Sequence, residues 1–196
     1  MASSLTTLHS RARFRRWFGV HLLAAVGLFL AGFVLGVAVI EAIPLETLAR
    51  YATGVESPLP DRITTWTIFA NNVLAMSMLL AGSVTLGLLT VVGLFFNGLV
   101  VGVVGNAALQ ATSPVVVLAL IVPHGILELP ALLTAGAIGL RVPHRVSRYL
   151  LGYDETPLSR VELYEVAVLV VLVTAALAVA AFVEAEYTRQ VADLVR

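Results

Sequence analysis

Long apolar runs alternate with short polar segments along the chain. Four zones are apolar enough to cross a bilayer, namely residues 17–40, 65–109, 115–140 and 161–183. Each meets or exceeds the roughly 20 apolar residues that a transmembrane helix needs. Helices satisfy their own backbone hydrogen bonds in lipid, so this pattern predicts an all-α fold.

The second zone, residues 65–109, is too long for a single crossing at the rise of an α-helix. Two helices joined by a tight turn near Ala81–Gly87 fit its length. We therefore predict one membrane domain over residues 1–196, a polytopic transmembrane helix bundle of about five spans. The expected spans are residues 17–40, 65–84, 87–109, 115–140 and 161–183.

Two arginine clusters indicate how these spans are oriented. They are Arg11, Arg13, Arg15 and Arg16 before the first zone, and Arg141, Arg145 and Arg148 after the third. Basic residues favour the cytoplasmic side, and an even number of crossings puts both clusters there. We expect a multi-pass plasma-membrane protein with a cytoplasmic N-terminus and an external C-terminus. The rival topology, one crossing plus a re-entrant piece, puts the second cluster outside.

The second cluster also has helical spacing. Arg141, Arg145 and Arg148 follow an i, i+4, i+7 pattern, which suits a short amphipathic helix on the inner leaflet. The segment RARFRRWF before the first span is a second candidate for such an interfacial helix. The alternative is that these arginines only set the topology.

The composition indicates that lipid surrounds this fold. The chain is 59% hydrophobic and 12% charged, whereas soluble domains carry about 25% charged residues. Its mean hydropathy is +0.97. Formal net charge is zero and cysteine is absent. We therefore expect the lipid bilayer as a partner, no nucleic acid and no disulfide framework or thiolate metal site.

A titratable pair interrupts the third zone in the stretch IVPHGILELP. His124 and Glu128 share one helix face at i, i+4. A carboxyl group at mid-membrane is costly, so such residues usually face the bundle interior. The pair is a candidate structural clamp, proton or ion relay, or part of a metal site. Pro123 and Pro130 flank it and can bend the helix.

Small and amide residues in the second zone are candidate neighbours of this pair. Gly98, Gly102 and Gly105 form a stripe at helical spacing, and small faces allow helices to pack closely. The amide candidates are Asn71, Asn72, Asn97 and Asn106. Asn97 and Asn106 are most simply interhelical hydrogen-bonding residues.

Catalytic and cofactor motifs are missing from the sequence. The stretch HGILE lacks the second histidine of an HExxH site, and no GxSxG, GxGxxG or Walker loop occurs. Two side chains make an incomplete metal site. We therefore expect a protein that is not an enzyme, with no catalytic residues, metal or cofactor.

The stretches FFNGLVVGVVGNAAL and PHGILELPALLTAGAIGLRV, with the two asparagines before them, resemble the stage II sporulation protein M family of integral membrane proteins. The resemblance covers residues 69–142. It maps the family motif onto Asn97, Gly98, Pro123, His124, Gly125, Glu128, Gly136 and Gly139.

This resemblance implies a multi-span helical protein that organises a membrane complex. The family's named member works with peptidoglycan-degrading partners in septal wall thinning and engulfment, and does not cut the wall itself. We therefore expect a non-catalytic scaffold whose partners are other membrane or cell-envelope proteins, a second copy of the chain being one candidate. The alternative is a small transporter or channel that uses His124 and Glu128 as an intramembrane proton or ion site.

Overall fold

The computed structural model describes residues 2–42, 64–111 and 113–194. The side chains of residues 2–11, 42, 111, 116, 119–124 and 187–194 lie outside this description. Five α-helices make up nearly all of the described chain, which confirms the all-α prediction. They are α1 (Ala2–Ala42), α2 (Thr65–Ala81), α3 (Leu88–Ala111), α4 (Pro114–Leu150) and α5 (Arg160–Leu194).

Four helices are long and apolar enough to cross a membrane by length and composition. These segments are Ala12–Glu41, Leu88–Gln110, Gly125–Leu150 and Arg160–Glu186. The remaining helix, α2, has 17 residues and is about 25 Å long at the standard rise. The chain is thus a polytopic helical membrane protein.

Contacts between distant side chains show which helix ends lie together. His21 of α1 lies 2.9 Å from His144 of α4, and Trp17 donates a hydrogen bond of 3.0 Å to Glu165 of α5. We call this end of the bundle the inner end. Both arginine clusters adjoin these residues in sequence, so both belong to the inner end.

The turn between α2 and α3 also lies at the inner end, because Gly87 packs against Pro143. Leu86 and Gly87 have positive φ angles of 52° and 87°, a conformation that costs glycine least. Thr90 is fully buried and donates a 2.7 Å hydrogen bond to the Leu79 carbonyl. The turn is thereby tied together, and consecutive helices alternate in direction.

Glycine allows α1 and α3 to pack backbone to backbone. A Cβ atom at Gly32 or Gly36 would overlap the carbonyl group of Phe95 or Leu99 on α3. The relationship is reciprocal, since Gly98 and Gly102 lie equally close to carbonyl groups of α1. The glycine stripe predicted in the second zone therefore packs on glycines of α1, and the two helices form one close crossing.

Side-chain caps define the starts of α2 and α5, and a Ser-Pro pair precedes α4. Thr64 and Thr67 form a capping box before α2. Ser113 precedes Pro114, an arrangement favoured at a helix start. Ser159 and Glu162 form a second capping box before α5, with the Ser159 amide donating to the Glu162 carboxylate at 2.9 Å.

The short interfacial helices expected at the inner end are continuous with longer ones. Residues 141–150 continue α4, and residues 2–16 continue α1. Arg141 does not lie on a leaflet as its spacing predicts, because it is buried against α5. A buried charge needs a partner, and Arg141 has one in the Glu162 carboxylate.

An apolar layer fills the middle of the bundle. Leu79 and Leu94 are fully buried, and Ala135 and Ile138 of α4 are only 1% and 2% exposed. Gly136 lies against the Leu94 side chain. This face of α4 separates the inner end from the polar residues described next.

Candidate functional site

A polar pair joins α2 and α4 within the membrane-level part of the bundle. The Asn72 amide donates a short hydrogen bond to the Glu128 carboxylate, and both side chains are half-buried. Glu128 lies 13 residues before Arg141 on α4, or about 20 Å along the helix axis. The carboxyl group thus lies far from the inner end and has an amide partner.

The expected partner of Glu128 on its own helix is His124. The His124 and Pro123 side chains lie outside the described residues. The pairing of His124 with Glu128 therefore stays a prediction. What the structure adds is the partner from α2, Asn72.

The other three asparagines have different roles. Asn106 donates a 3.2 Å hydrogen bond to the Val37 carbonyl and so links α3 to α1. Asn97 donates a 2.8 Å hydrogen bond to the Gly93 carbonyl of its own helix. This hydrogen bond is therefore not interhelical, unlike the one predicted for Asn97. Asn71 is exposed on α2. The described hydrogen bond to Glu128 comes from Asn72.

A cavity of about 520 Å³ lies beside the Asn72–Glu128 pair. Its walls are mostly apolar, with Phe29 and Phe33 of α1 among them. Among the described residues, its polar lining comprises Asn71, Asn72, Asn97 and Glu128. Four of the six buried-polar candidates thus line one space.

The remaining motif glycines differ in what surrounds them. Gly105 and Gly125 line the cavity, and a Cβ atom at either would meet nothing within 4 Å. A Cβ atom at Gly139 would overlap the Leu79 carbonyl and the Thr90 hydroxyl. Gly139 thus serves close packing, whereas Gly105 and Gly125 leave open space.

A second polar cluster lies at the inner end and centres on Glu162. Arg141 donates a 2.5 Å hydrogen bond to its carboxylate, and the Arg145 guanidinium lies 3.2 Å away. Arg141 also lies over the Trp17 ring, 5.2 Å from its centroid. Attraction to the ring adds to the ion pair. Glu162 therefore links α4 to the start of α5.

Two imidazoles join α1 to α4 in the same cluster. The His21 Nδ1 atom lies 2.6 Å from the Trp17 carbonyl, which can only accept, so Nδ1 carries the hydrogen. In neutral His21 the Nε2 atom then accepts from Nδ1 of His144 at 2.9 Å. Each histidine tautomer follows from this chain of hydrogen bonds.

Asp154 closes the loop between α4 and α5. It bonds Arg145 and accepts a 2.8 Å hydrogen bond from Nε of Arg148. The Arg148 hydrogen bond holds the pKa of Asp154 below its usual value, although burial opposes this. The contact is therefore fully present at neutral pH and weakens as pH falls through the lowered pKa.

Sequence reasoning missed this inner-end cluster. The arginine spacing predicts interfacial helices or a topology signal, and no motif in the sequence singles out His21 or His144. One signal was available, because Ser159 and Glu162 have the S-x-x-E spacing of a capping box before an apolar run. The contact of Trp17 with Glu165 spans 148 residues and has no local signal.

The chemistry of the two sites is hydrogen bonding and ion pairing. Within the described residues, no group of three or more histidine, cysteine or acidic residues could hold a metal ion. The Asn72–Glu128 pair offers a carboxylate and an amide beside a mostly apolar space. The inner-end cluster offers fixed ion pairs that hold helix ends together.

Comparison with known proteins gives a family match over most of the chain. The model of the family described as Stage II sporulation protein M matches residues 25–189. An uncharacterized protein of Methanocaldococcus jannaschii is 31% identical over 177 residues, covering 88% of this chain and 96% of that protein. No solved structure matches the chain.

Proposed function

This chain belongs to the stage II sporulation protein M family, and we propose that it is a non-catalytic scaffold that organises a complex in the plasma membrane. The family prediction from residues 69–142 is confirmed, and the match extends well beyond them. Neither the family nor the relative indicates a catalytic activity. The scaffold role is the part that we infer.

The separation of the two polar sites carries this proposal. The apolar layer of Leu79, Leu94 and Ile138 lies between Glu128 and the inner-end cluster, and all three side chains are at most 2% exposed. A proton or ion path needs polar groups or water at short intervals. The ion pairs hold helix ends together, and the glycines allow α1 to pack tightly on α3. Both features support a rigid helix bundle, which suits a scaffold.

The alternative function is a small transporter or channel. Its supporting observation is the cavity beside Glu128, a carboxyl group with access to open space. Such a protein would carry protons or ions across a reconstituted membrane. Proteoliposomes tested at two pH values distinguish the functions, since a scaffold gives no pH-dependent flux.

The proposed partners are other membrane or cell-envelope proteins, or a second copy of the chain. The proposed orientation puts the inner end in the cytoplasm and the C-terminus outside. The arginine clusters near that end favour this orientation. The proposed contact surfaces are lipid-facing sides of α1 and α5, where large apolar side chains are exposed.

Photocrosslinking in native membranes tests the scaffold. One photoreactive residue per variant replaces Leu23 or Val34 on α1, or Val171 or Phe182 on α5, all at least 60% exposed. A scaffold predicts discrete protein adducts concentrated on one of these faces. Absence of adducts at every position, together with pH-dependent flux, would support the transporter and overturn the scaffold.

A further inference from the structure

We propose that the cavity beside Asn72 and Glu128 is a binding site for a membrane lipid whose head is an uncharged hydroxyl group. The cavity has about 520 Å³, which lies within the range of small-molecule pockets, about 300–1,000 Å³. This inference goes beyond the scaffold role and does not depend on it. Its evidence is the shape, position and polar lining of the cavity.

The cavity opens toward the membrane. On its rim, Leu30 of α1 is 50% exposed and Val104 of α3 is 60% exposed. Lipid surrounds these helices at this level, so a ligand enters sideways from the bilayer. An apolar chain then lies along Phe29, Phe33 and neighbouring aliphatic walls.

The polar lining lies away from the inner end. Asn71 comes five residues after Trp66 on α2, or about 7.5 Å along the helix. Trp66 is 72% exposed, and exposed tryptophan is typical of the membrane interface. The head of a lipid from the leaflet opposite the inner end can therefore reach Asn71 and Asn72 without crossing the bilayer.

The chemistry of the lining selects a hydroxyl head. Asn72 uses one amide hydrogen on Glu128, and Asn97 uses one on the Gly93 carbonyl. Each amide also has an oxygen acceptor and a second hydrogen. A hydroxyl group donates to a carboxylate or amide oxygen and accepts from an amide hydrogen. The described part of the lining has no basic side chain to pair with an anionic head, and a charged head without a partner is costly to bury.

Two glycines allow the cavity to be filled without disturbing the fold. Gly105 and Gly125 line it, and a Cβ atom at either meets nothing within 4 Å. Leucine is also a better helix former than glycine. Gly27 of α1 is the matched control, because it is exposed, has equally open surroundings and does not line the cavity.

The test uses a photoreactive hexadecanol with a diazirine in its chain, added to the full-length protein in phosphatidylcholine nanodiscs. We expect labelling of peptides that carry Phe29, Phe33 or Leu132, and we expect unlabelled hexadecanol to suppress it. Gly105→Leu and Gly125→Leu should each abolish this competable labelling, and Gly27→Leu should leave it unchanged. Two cavity variants are used so that a folding defect in one does not end the test.

Two further measurements test the preference for a hydroxyl head. The matched photoreactive palmitic acid, which differs only in its carboxylate head, should label the cavity less than the alcohol does. Asn97→Leu should weaken hexadecanol competition about two- to tenfold, the range for one hydrogen bond. Labelling that is not competable, or that survives both cavity-filling variants, overturns the site. Equal labelling by alcohol and acid overturns the hydroxyl head.

Discussion

Glu162 on the first turn of α5 accepts a 2.5 Å hydrogen bond from Arg141 of α4, and both side chains are almost fully buried. The same carboxylate caps α5 through Ser159. One side chain thus starts a helix, neutralises a buried arginine and joins two helices. Removing it leaves the Arg141 charge buried without its partner.

We therefore expect Glu162→Ala to lower the free energy of unfolding by about 3 kcal/mol, as loss of one member of a buried ion pair does. Glu162→Gln should cost less, because glutamine still serves a capping box. Thermal unfolding in detergent measures both. The control is Arg160→Ala, an exposed position in the same turn. Equal effects at 160 and 162 would contradict the central role of this carboxylate.

The Asn72–Glu128 hydrogen bond predicts a second graded series. Glu128→Gln retains a hydrogen-bonding group and should lower the free energy of unfolding only slightly. Glu128→Leu or Asn72→Leu removes the hydrogen bond between the two side chains and should cost about 1–3 kcal/mol. The double variant Asn72→Leu with Glu128→Leu should cost less than the sum of the single changes.

Denaturant titration of the reconstituted protein measures this series. Strict additivity of the two leucine changes would show that the side chains do not interact. A folded Glu128→Gln protein that loses a measurable ion flux would show instead that the carboxyl group serves transport.

The close crossing of α1 and α3 predicts that larger residues at its glycines strongly destabilise the protein. Gly98→Leu and Gly32→Leu place side chains on backbone carbonyl groups of the facing helix. Overpacking usually costs about 1–3 kcal/mol, and we expect at least that here because backbone must move. Gly19→Leu is the control, since a Cβ atom there meets nothing within 4 Å.

The fraction of monodisperse protein after size-exclusion chromatography reports this effect. A normal yield for Gly98→Leu would mean that α1 and α3 are further apart than the structure places them.

The proposed orientation predicts opposite labelling of the two ends of α5. The chain contains no cysteine, so single cysteines can be introduced without background. Glu186→Cys should react with a membrane-impermeant maleimide in intact cells. Glu155→Cys, in the loop before α5, should react only after the cells are opened. The reverse result would invert the topology and exclude a cytoplasmic inner end.

Hydropathy predicted the helices because a segment that crosses a bilayer must be long and apolar. It must also satisfy its own backbone hydrogen bonds, as an α-helix does. The close packing at Gly98 and Gly102 was also predictable, since these glycines repeat at helical spacing. The interaction of Asn72 with Glu128 was not, because 56 residues separate them and their approach depends on how α2 packs on α4.

The inward direction of Arg141 shows a different limit of sequence reasoning. Arginine near the end of a span is typical of a topology signal, and its spacing indicated a surface helix. Its burial follows from a carboxylate 21 residues later and an indole ring on α1. Only the capping-box spacing of Ser159 and Glu162 pointed to special chemistry at this end.

Cysteine accessibility across the apolar layer tests the scaffold account most directly. His144→Cys at the exposed inner end should react with a water-soluble methanethiosulfonate added from that side. Ala131→Cys and Ala135→Cys on α4 should stay unmodified, because both positions are at most 4% exposed. Modification at 131, 135 and 144 alike would reveal a water path toward Glu128 and contradict a closed, non-transporting scaffold.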